Sequence, residues 1–220
     1  MSPIAAPIFH FLHPEQAPPV GCRYSLVESP APLQPADEIA LLQRARQGDE
    51  VAFGILMTAH YGYVYRLVYG IVRHEHDTRD ICQEVWLSVW RNLPEYQGTG
   101  KFTSWLHPIA TRRALDHLRK RRRWYDRFLP FATGNDDQPE FEAVAAEDTA
   151  QNAETHEARD RLDQALAALT PLHRTVLALR ELQGLSYEEI ARAAGIPAGT
   201  VMSRLYHARR LLAKKLKEKS

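Results

Sequence analysis

The segment Leu185–Lys219, LSYEEIARAAGIPAGTVMSRLYHARRLLAKKLKEK, leaves little choice of fold. Ser186 and Glu189 stand at capping-box spacing: the hydroxyl can take the amide of residue 189 while the carboxylate reaches back. Ile190, Ala191 and Ala194 give a short amphipathic helix that stops at Gly195, a residue suited to a left-handed cap. Pro197 restarts a helix where a missing N–H costs nothing. Val201, Leu205, Ala208 and Leu212 then recur at i, i+4, i+7 and i+11, which predicts one buried side. Thr200, Ser203, Arg204, His207 and Arg210 are left outward. Two helices around a glycine turn, the second polar and basic, predict a helix-turn-helix that enters a DNA major groove. A solvated helical hairpin would share the capping box. It would not need seven basic residues against a single Glu218 between 204 and 220.

Net charge is only +1, which alone argues against a nucleic-acid binder. The sum hides a segregation along the chain. Residues 110–124 carry net +6, residues 125–160 net −8, and residues 204–220 net +6. Two basic blocks flanking an acidic connector predict two separate contacts with nucleic acid. At 220 residues the chain can hold two small domains without a single continuous core. Cys22 and Cys82 offer neither a disulfide framework nor paired metal-ligand spacing. No apolar run approaches the ~20 residues of a membrane span. The N-terminus lacks the basic start and apolar stretch of a signal peptide. The expectation is a cytoplasmic protein.

Residues 1–36 hold eight of the fourteen prolines and no periodicity, so they read as a disordered arm. Helical patterning starts near Asp37. Asp49 can cap a long helix through Phe53, Leu56, Tyr61, Val64, Leu67 and Ile71. Asp77 is expected to cap the next helix, which buries Ile81, Cys82, Val85, Trp86, Val89 and Leu93. Pro94 to Lys101 form a glycine-rich loop. A further helix runs from Phe102 to about Arg123, with an interruption expected at His107-Pro108. No strand alternation occurs. The expected class is therefore all-α: a helical domain over 37–123, an acidic flexible linker over 124–158, and a smaller helix-turn-helix domain over 159–220.

Two clusters in the first domain invite chemistry. His74, His76, Asp77, Asp80 and Glu84 could ligate a metal. A helix cap followed by an exposed polar face explains them more simply, with Asp80, Gln83, Glu84 and Arg91 opposite the tryptophans. The second cluster is Tyr96, Phe102 and Trp105, followed by Arg112, Arg113 and the run Arg119 to Arg123. Aromatics interleaved with cations can stack unpaired bases while holding phosphates, which points to single-stranded DNA.

These residues also resemble a known family. The runs Asp77-Thr78-Arg79-Asp80-Ile81-Cys82-Gln83-Glu84-Val85, Phe102-Thr103-Ser104-Trp105-Leu106, Ile109-Ala110 and Ala114-Leu115-Asp116-His117-Leu118-Arg119 are similar to the second region of extracytoplasmic-function sigma factors. Leu169-Thr170-Pro171 through Ile196-Pro197-Ala198-Gly199-Thr200-Val201 and Ser203-Arg204-Leu205 are similar to their fourth region. The resemblance implies a dissociable initiation subunit of bacterial RNA polymerase, not an enzyme, with no cofactor. Asp77, Asp80, Gln83 and Glu84 would dock on the clamp of the largest subunit, and the second domain on the flap of the other large subunit. Tyr96, Gln97, Gly98, Lys101 and Phe102 would capture a base flipped from the melted near element, with Arg112, Arg113, Arg119, Arg122 and Arg123 holding that strand. Thr200, Met202, Ser203, Arg204, Tyr206, His207 and Arg210 would face the far promoter element. An anti-sigma factor is the further partner that the resemblance implies, with no membrane insertion by this chain.

Departures from the family pattern set expectations of their own. Arg112 stands where relatives often carry Asn after Ile-Ala-x, and a guanidinium fork favours guanine or phosphate over the bases an amide reads. Met202 and His207 occupy positions often basic in relatives, so the far element is expected to differ from the family's commonest sequence. A stand-alone helix-turn-helix regulator is the alternative function. A metal-dependent nucleic-acid enzyme using His74 and His76 is a third, which would need a second acidic cluster that the chain lacks.

Overall fold

Asp49 shows how local chemistry places the longest boundaries of this fold. One carboxylate oxygen accepts the amides of Val51 and Ala52 at 3.0 Å each, and the other takes Arg44 Nε at 2.8 Å. The cap therefore ends helix α1 (Pro35–Arg46) and starts α2 (Glu50–Val72) within four residues. The computed structural model describes residues 33–98, 100–128 and 153–217, and no strand occurs among them. Helix α3 spans Glu75–Asn92 and passes into a 3₁₀ turn at Leu93–Glu95. The loop that follows has left-handed glycines at Gly98 (φ 71°) and Gly100 (φ 85°) and leads into α4, Phe102–Phe128.

Two sequence expectations fail here. His74, not Asp77, is the N-cap of α3: its Nδ1 accepts the amide of Asp77 at 3.3 Å. An imidazole can serve as an acceptor at this position, which moves the helix start two residues upstream of Asp77. Helix α4 also runs unbroken through Pro108. Pro108 lies in the second turn, so the bond it cannot make is to the carbonyl of Ser104 in the exposed first turn. Water can satisfy that carbonyl.

Helix α2 is the axle of the first lobe and packs on α1, α3 and α4. Its fully buried Leu56, Val68 and Ile71 meet Ile81, Val85 and Val89 of α3 and Leu106, Ala110 and Ala114 of α4 in one core. Phe53 meets Trp86 edge-on at 6.1 Å and Trp90 at 4.7 Å. Cys82 is fully buried there, and burial pushes its thiol pKa up, so it packs as a small apolar side chain.

The second lobe comprises α5 (Ala153–Ala167), α6 (Pro171–Leu177), a π turn at Ala178–Leu182, α7 (Tyr187–Ala194) and α8 (Ala198–Lys217). The capping box forms in both directions: Ser186 Oγ accepts the Glu189 amide at 3.2 Å, and the Ser186 amide donates to Glu189 Oε2 at 2.8 Å. Gly195 closes α7 in the left-handed region at φ 65°. Leu169, Leu179, Ile190, Val201, Leu205 and Ala208 fill the core beneath.

The proline-rich arm lies mostly outside the described residues, as do the central residues 129–152 of the acidic linker. Helices α4 and α5 enter that linker from either side. The lobes also touch. Helix α2 packs on α6 and the π turn, α4 packs on α7, and one set of buried residues runs through both lobes.

Candidate nucleic-acid and polymerase interfaces

Helix α8 presents a clean division of labour. Val201, Leu205 and Ala208 are buried against α6 and α7. Met202 (57% exposed), Ser203, Tyr206 (62%), His207 and Arg210 project outward, while Thr200 and Arg204 are half-buried at the edge. Ser203 Oγ donates back to the Thr200 carbonyl at 3.1 Å, and the rings of Tyr206 and His207 meet edge-on at 5.4 Å. Arg209 is turned aside: its Nη2 lies 2.6 Å from Glu181 Oε1, so it braces α8 against the preceding turn. All seven expected reading residues thus lie on one helix and along one side. Their chemistry (one guanidinium at the helix edge, one beyond it, a phenol, an imidazole and hydroxyls) suits base edges and phosphates in a groove.

The first-lobe surface is built differently. Gln97, Gly98 and Lys101 are exposed on the loop, and Arg112, Arg119, Arg122 and Arg123 are exposed along α4. Arg113 is half-buried and donates to Ser88 Oγ at 3.3 Å. Arg119 pairs with Asp116 at 2.8 Å. Tyr96 and Phe102, expected as stacking faces, are buried instead. Tyr96, Phe102 and Trp105 form a triad with ring centroids 5.1–5.8 Å apart, and Tyr96 Oη donates to the Gly100 carbonyl at 3.3 Å. Tyr96 and Phe102 hold the glycine loop from beneath and offer no face to a base, while Trp105 is half-buried beside them. Burial also raises the Tyr96 phenol pKa, so it stays protonated and remains a donor.

On α3, Asp80, Gln83 and Glu84 are exposed on one side of the helix, and His76 Nδ1 lies 3.3 Å from Asp80. Asp77 does not belong with them. Its carboxylate is mostly covered and binds Arg121 at 2.7 Å and His117 at 3.2 Å, both from α4. The residue ties α3 to α4, which removes it from any docking face. No cluster of three or more His, Cys, Asp or Glu side chains suited to a metal occurs among the described residues. No helix among them is long and apolar enough to cross a membrane.

Sequence reasoning passed over three residues. Arg174 is almost fully buried (1% exposed) and donates Nε to the Ile71 carbonyl at 2.9 Å and Nη1 to the Ala167 carbonyl at 3.0 Å. It thereby serves the C-terminal ends of two helices at once. Burial lowers its pKa to about 10, which still leaves it charged at neutral pH. His107 is buried (3% exposed) and hydrogen-bonds Tyr63 Oη of α2, with Glu189 of the capping box nearby. Burial drops its pKa to about 4, while the Tyr63 phenol rises to about 12, so both are neutral. His173 sits at the start of α6 with Nδ1 3.0 Å from Thr170 Oγ1. Burial first, then the nearby His207 and Arg204 of α8, lower its pKa. A polar residue at a helical core position was the available signal for Arg174 and His107.

Residues 56–124 match the family profile described as Sigma-70 region 2, and residues 159–212 match Sigma-70, region 4. The chain is 36% identical over 170 residues to the ECF RNA polymerase sigma factor SigE of Mycolicibacterium smegmatis, covering 75% of this chain and 63% of that longer protein. It is 32% identical over 180 residues to the RNA polymerase sigma-H factor of Pseudomonas aeruginosa, covering 80% of this chain and 92% of that one. The ECF RNA polymerase sigma-E factor of Escherichia coli is 32% identical over 182 residues, with the same coverage. Among solved structures, CnrH in complex with the cytosolic domain of CnrY shares the fold at TM-score 0.57 and 24% identity, covering 84% of this chain and 99% of that one. RpoE in complex with the anti-sigma factor NepR from Bartonella quintana also gives TM-score 0.57, at 20% identity, covering 75% of this chain and 96% of that one. With both regions present and in order, this chain belongs to the extracytoplasmic-function sigma factors, the alternative sigma factors of transcription initiation.

Proposed function

We propose that the protein mounts on core RNA polymerase in the cytoplasm and directs it to promoters through two surfaces, one on each lobe. The observation that carries this reading is the pair of exposed basic faces, on α4 with its glycine loop and on α8, in one chain of this family. The proposed domains are residues 37–123 and 159–220. Gln97, Gly98, Lys101 and Arg112 contact the melted near element, and Arg119, Arg122 and Arg123 hold its phosphates. Thr200, Met202, Ser203, Arg204, Tyr206, His207 and Arg210 read the far element in the major groove. Asp80, Gln83 and Glu84 dock on the clamp of the largest subunit, and the second lobe docks on the flap of the other. Tyr96 and Phe102 shape the loop from the core, and Asp77 positions α3 against α4.

Duplex opening costs a few kcal/mol per flipped base, which the loop pocket must return through contacts to that base. Exposed Lys and Arg supply the sequence-independent part, with counterion release as its signature. The fold neighbour RpoE, solved with the anti-sigma factor NepR, supports an anti-sigma factor as a further partner of this chain. Promoter-directed transcription by purified core polymerase tests the function. Transcripts should appear only when this protein is added. A chain that grips promoter duplex tightly alone, with no stimulation of core, would instead be a stand-alone regulator.

A further inference from the structure

The support beneath the glycine loop does not end with its aromatic triad. Phe102 also meets the ring of His60, in α2, edge-on at 5.3 Å. The His60 side chain is only 13% exposed. Its Nε2 is buried and makes no hydrogen bond, although Glu38 Oε2 of α1 lies 3.4 Å away. The Glu38 carboxylate acts on the Tyr96 phenol as well, with Arg46 of α1 opposing it. Helix α1 packs on the 3₁₀ turn that leads into the loop. Glu38, His60, Phe102 and Tyr96 thus connect the first helix of the lobe to the loop proposed to hold a flipped base.

A buried polar atom without a partner is uncommon. This one lies beside a carboxylate, so a proton on the ring would give it a charged partner. The two protonation states then favour different surroundings. A neutral imidazole packs against Phe102 at little cost, whereas a buried imidazolium loses its hydration. Burial, partly offset by Glu38, lowers the His60 pKa, so the ring is neutral at neutral pH. Helix α3 meets α2 through the apolar Ile81, Val85 and Val89. From α4, Phe102 is uncharged, Lys101 before it is exposed, and His107 pairs with Tyr63, both neutral. Helix α6 and the π turn meet α2 near Gly70 and Ile71, towards its C-terminal end. Glu38 is therefore the charge that decides where an imidazolium settles. The loop has little stiffness with which to resist, since Gly98 and Gly100 adopt left-handed conformations that leave its shape to its support.

We propose that His60 is a positioning residue for the near-element loop: its neutral ring seats Phe102, and its protonation draws the ring towards Glu38 and loosens the loop, so that promoter opening weakens in acid. The inference rests on the sigma-factor function proposed above and deepens it, since it names what sets the shape of the loop. The sign follows from linkage. A ring that is harder to protonate in its seat than when displaced loses that seat as protons are added.

Nuclear magnetic resonance of the full chain tests the coupling without DNA or polymerase. The His60 ring and the amides of Gly98, Gly100 and Lys101 are followed from about pH 8 to about pH 5. They should shift together, with a shared midpoint below the ordinary histidine value of 6.5. Loop amides that hold still while the ring titrates overturn the proposal. In Glu38→Gln the midpoint should move to lower pH, because the carboxylate that favours the charged ring is gone. A midpoint that stays or rises removes the pair. The functional arm uses holoenzyme made with the natural chain or with His60→Gln, which fills a similar seat and takes no proton. The two should open a promoter equally at neutral pH. The near-element permanganate reactivity of the natural chain, divided by that of the variant, should fall about twofold or more between about pH 7.5 and about pH 5.5. Both chains share every other titrating group and the same core polymerase, so a constant ratio overturns the role of His60. Holoenzyme that opens no promoter at any pH would instead sink the sigma function, while the loop amides still report on His60.

Discussion

The two surfaces proposed to face DNA are made by opposite strategies. The second lobe offers a single helix, α8, whose buried and exposed sides alternate with the helical period. The first lobe offers a loop and a long helix held by a buried aromatic triad, with the cations arriving from later turns of α4. A surface built on one helix carries its chemistry in its own side chains. A surface built on a loop depends on residues that never touch DNA. Substitutions should therefore separate stability from recognition in the second lobe and confound them in the first.

The sharpest break of that contrast is Phe102→Ala. Phe102 is fully buried, so truncation should cost about 3–5 kcal/mol of stability, seen as a lower denaturant midpoint for the first lobe. A stable variant defective only in promoter opening would return Phe102 to the DNA-facing set. Next in size is Arg204→Ala, which should cost about 1–3 kcal/mol at particular base pairs of the far element if it reaches a base edge. Selection of binding sites by the holoenzyme would show relaxed preference at those pairs, with little change in melting temperature. Ser186→Ala removes one half of the capping box and should destabilise the second lobe by about 1 kcal/mol, with sequence preference intact. Arg122→Ala should weaken binding evenly across promoters and reduce the slope of log affinity against log salt by about 1. Equal, sequence-blind losses for Arg204 and Arg122 would erase the distinction between reading and holding.

Acid should act chiefly on the boundary between the lobes. His107 has its pKa depressed to about 4 by burial, against an ordinary value of 6.5. The folded form therefore binds fewer protons than the unfolded form between these values. Its contribution to stability is complete above about pH 6.5 and is lost as pH falls towards 4. His60, lowered chiefly by burial despite the nearby Glu38 carboxylate, works in the same direction. Thermal melts between pH 7 and 4.5 should show a smaller decline for His107→Gln than for the natural chain. An identical decline would remove His107 from the account.

Much of this molecule was legible in its sequence because helical periodicity reports which side of a helix faces out. The Asp49 cap, the Ser186–Glu189 box, the Gly195 stop and the α8 faces follow from spacing alone. What spacing could not say is whether an aromatic beside a loop faces inward. Tyr96 and Phe102 satisfy a stacking platform and a core equally well as letters, and only the packing of Trp105 decides between them. Asp77 was misread for a related reason, since its partners Arg121 and His117 lie about forty residues away on another helix. The contact between the lobes was invisible for the same cause: Arg174 and His107 acquire meaning only from Ile71 and Glu189 of the opposite lobe.

The central claim is that two faces of one chain engage two promoter elements together, on polymerase. Permanganate footprinting of a selected promoter tests it directly, because the reagent marks unpaired thymines and protection marks the far element. With core polymerase and this protein, thymines in the near element should become reactive while the far element is protected, and Arg204→Ala or Arg112→Ala should weaken both signals. Opening that proceeds unchanged in both variants, or far-element protection without core polymerase, would contradict it.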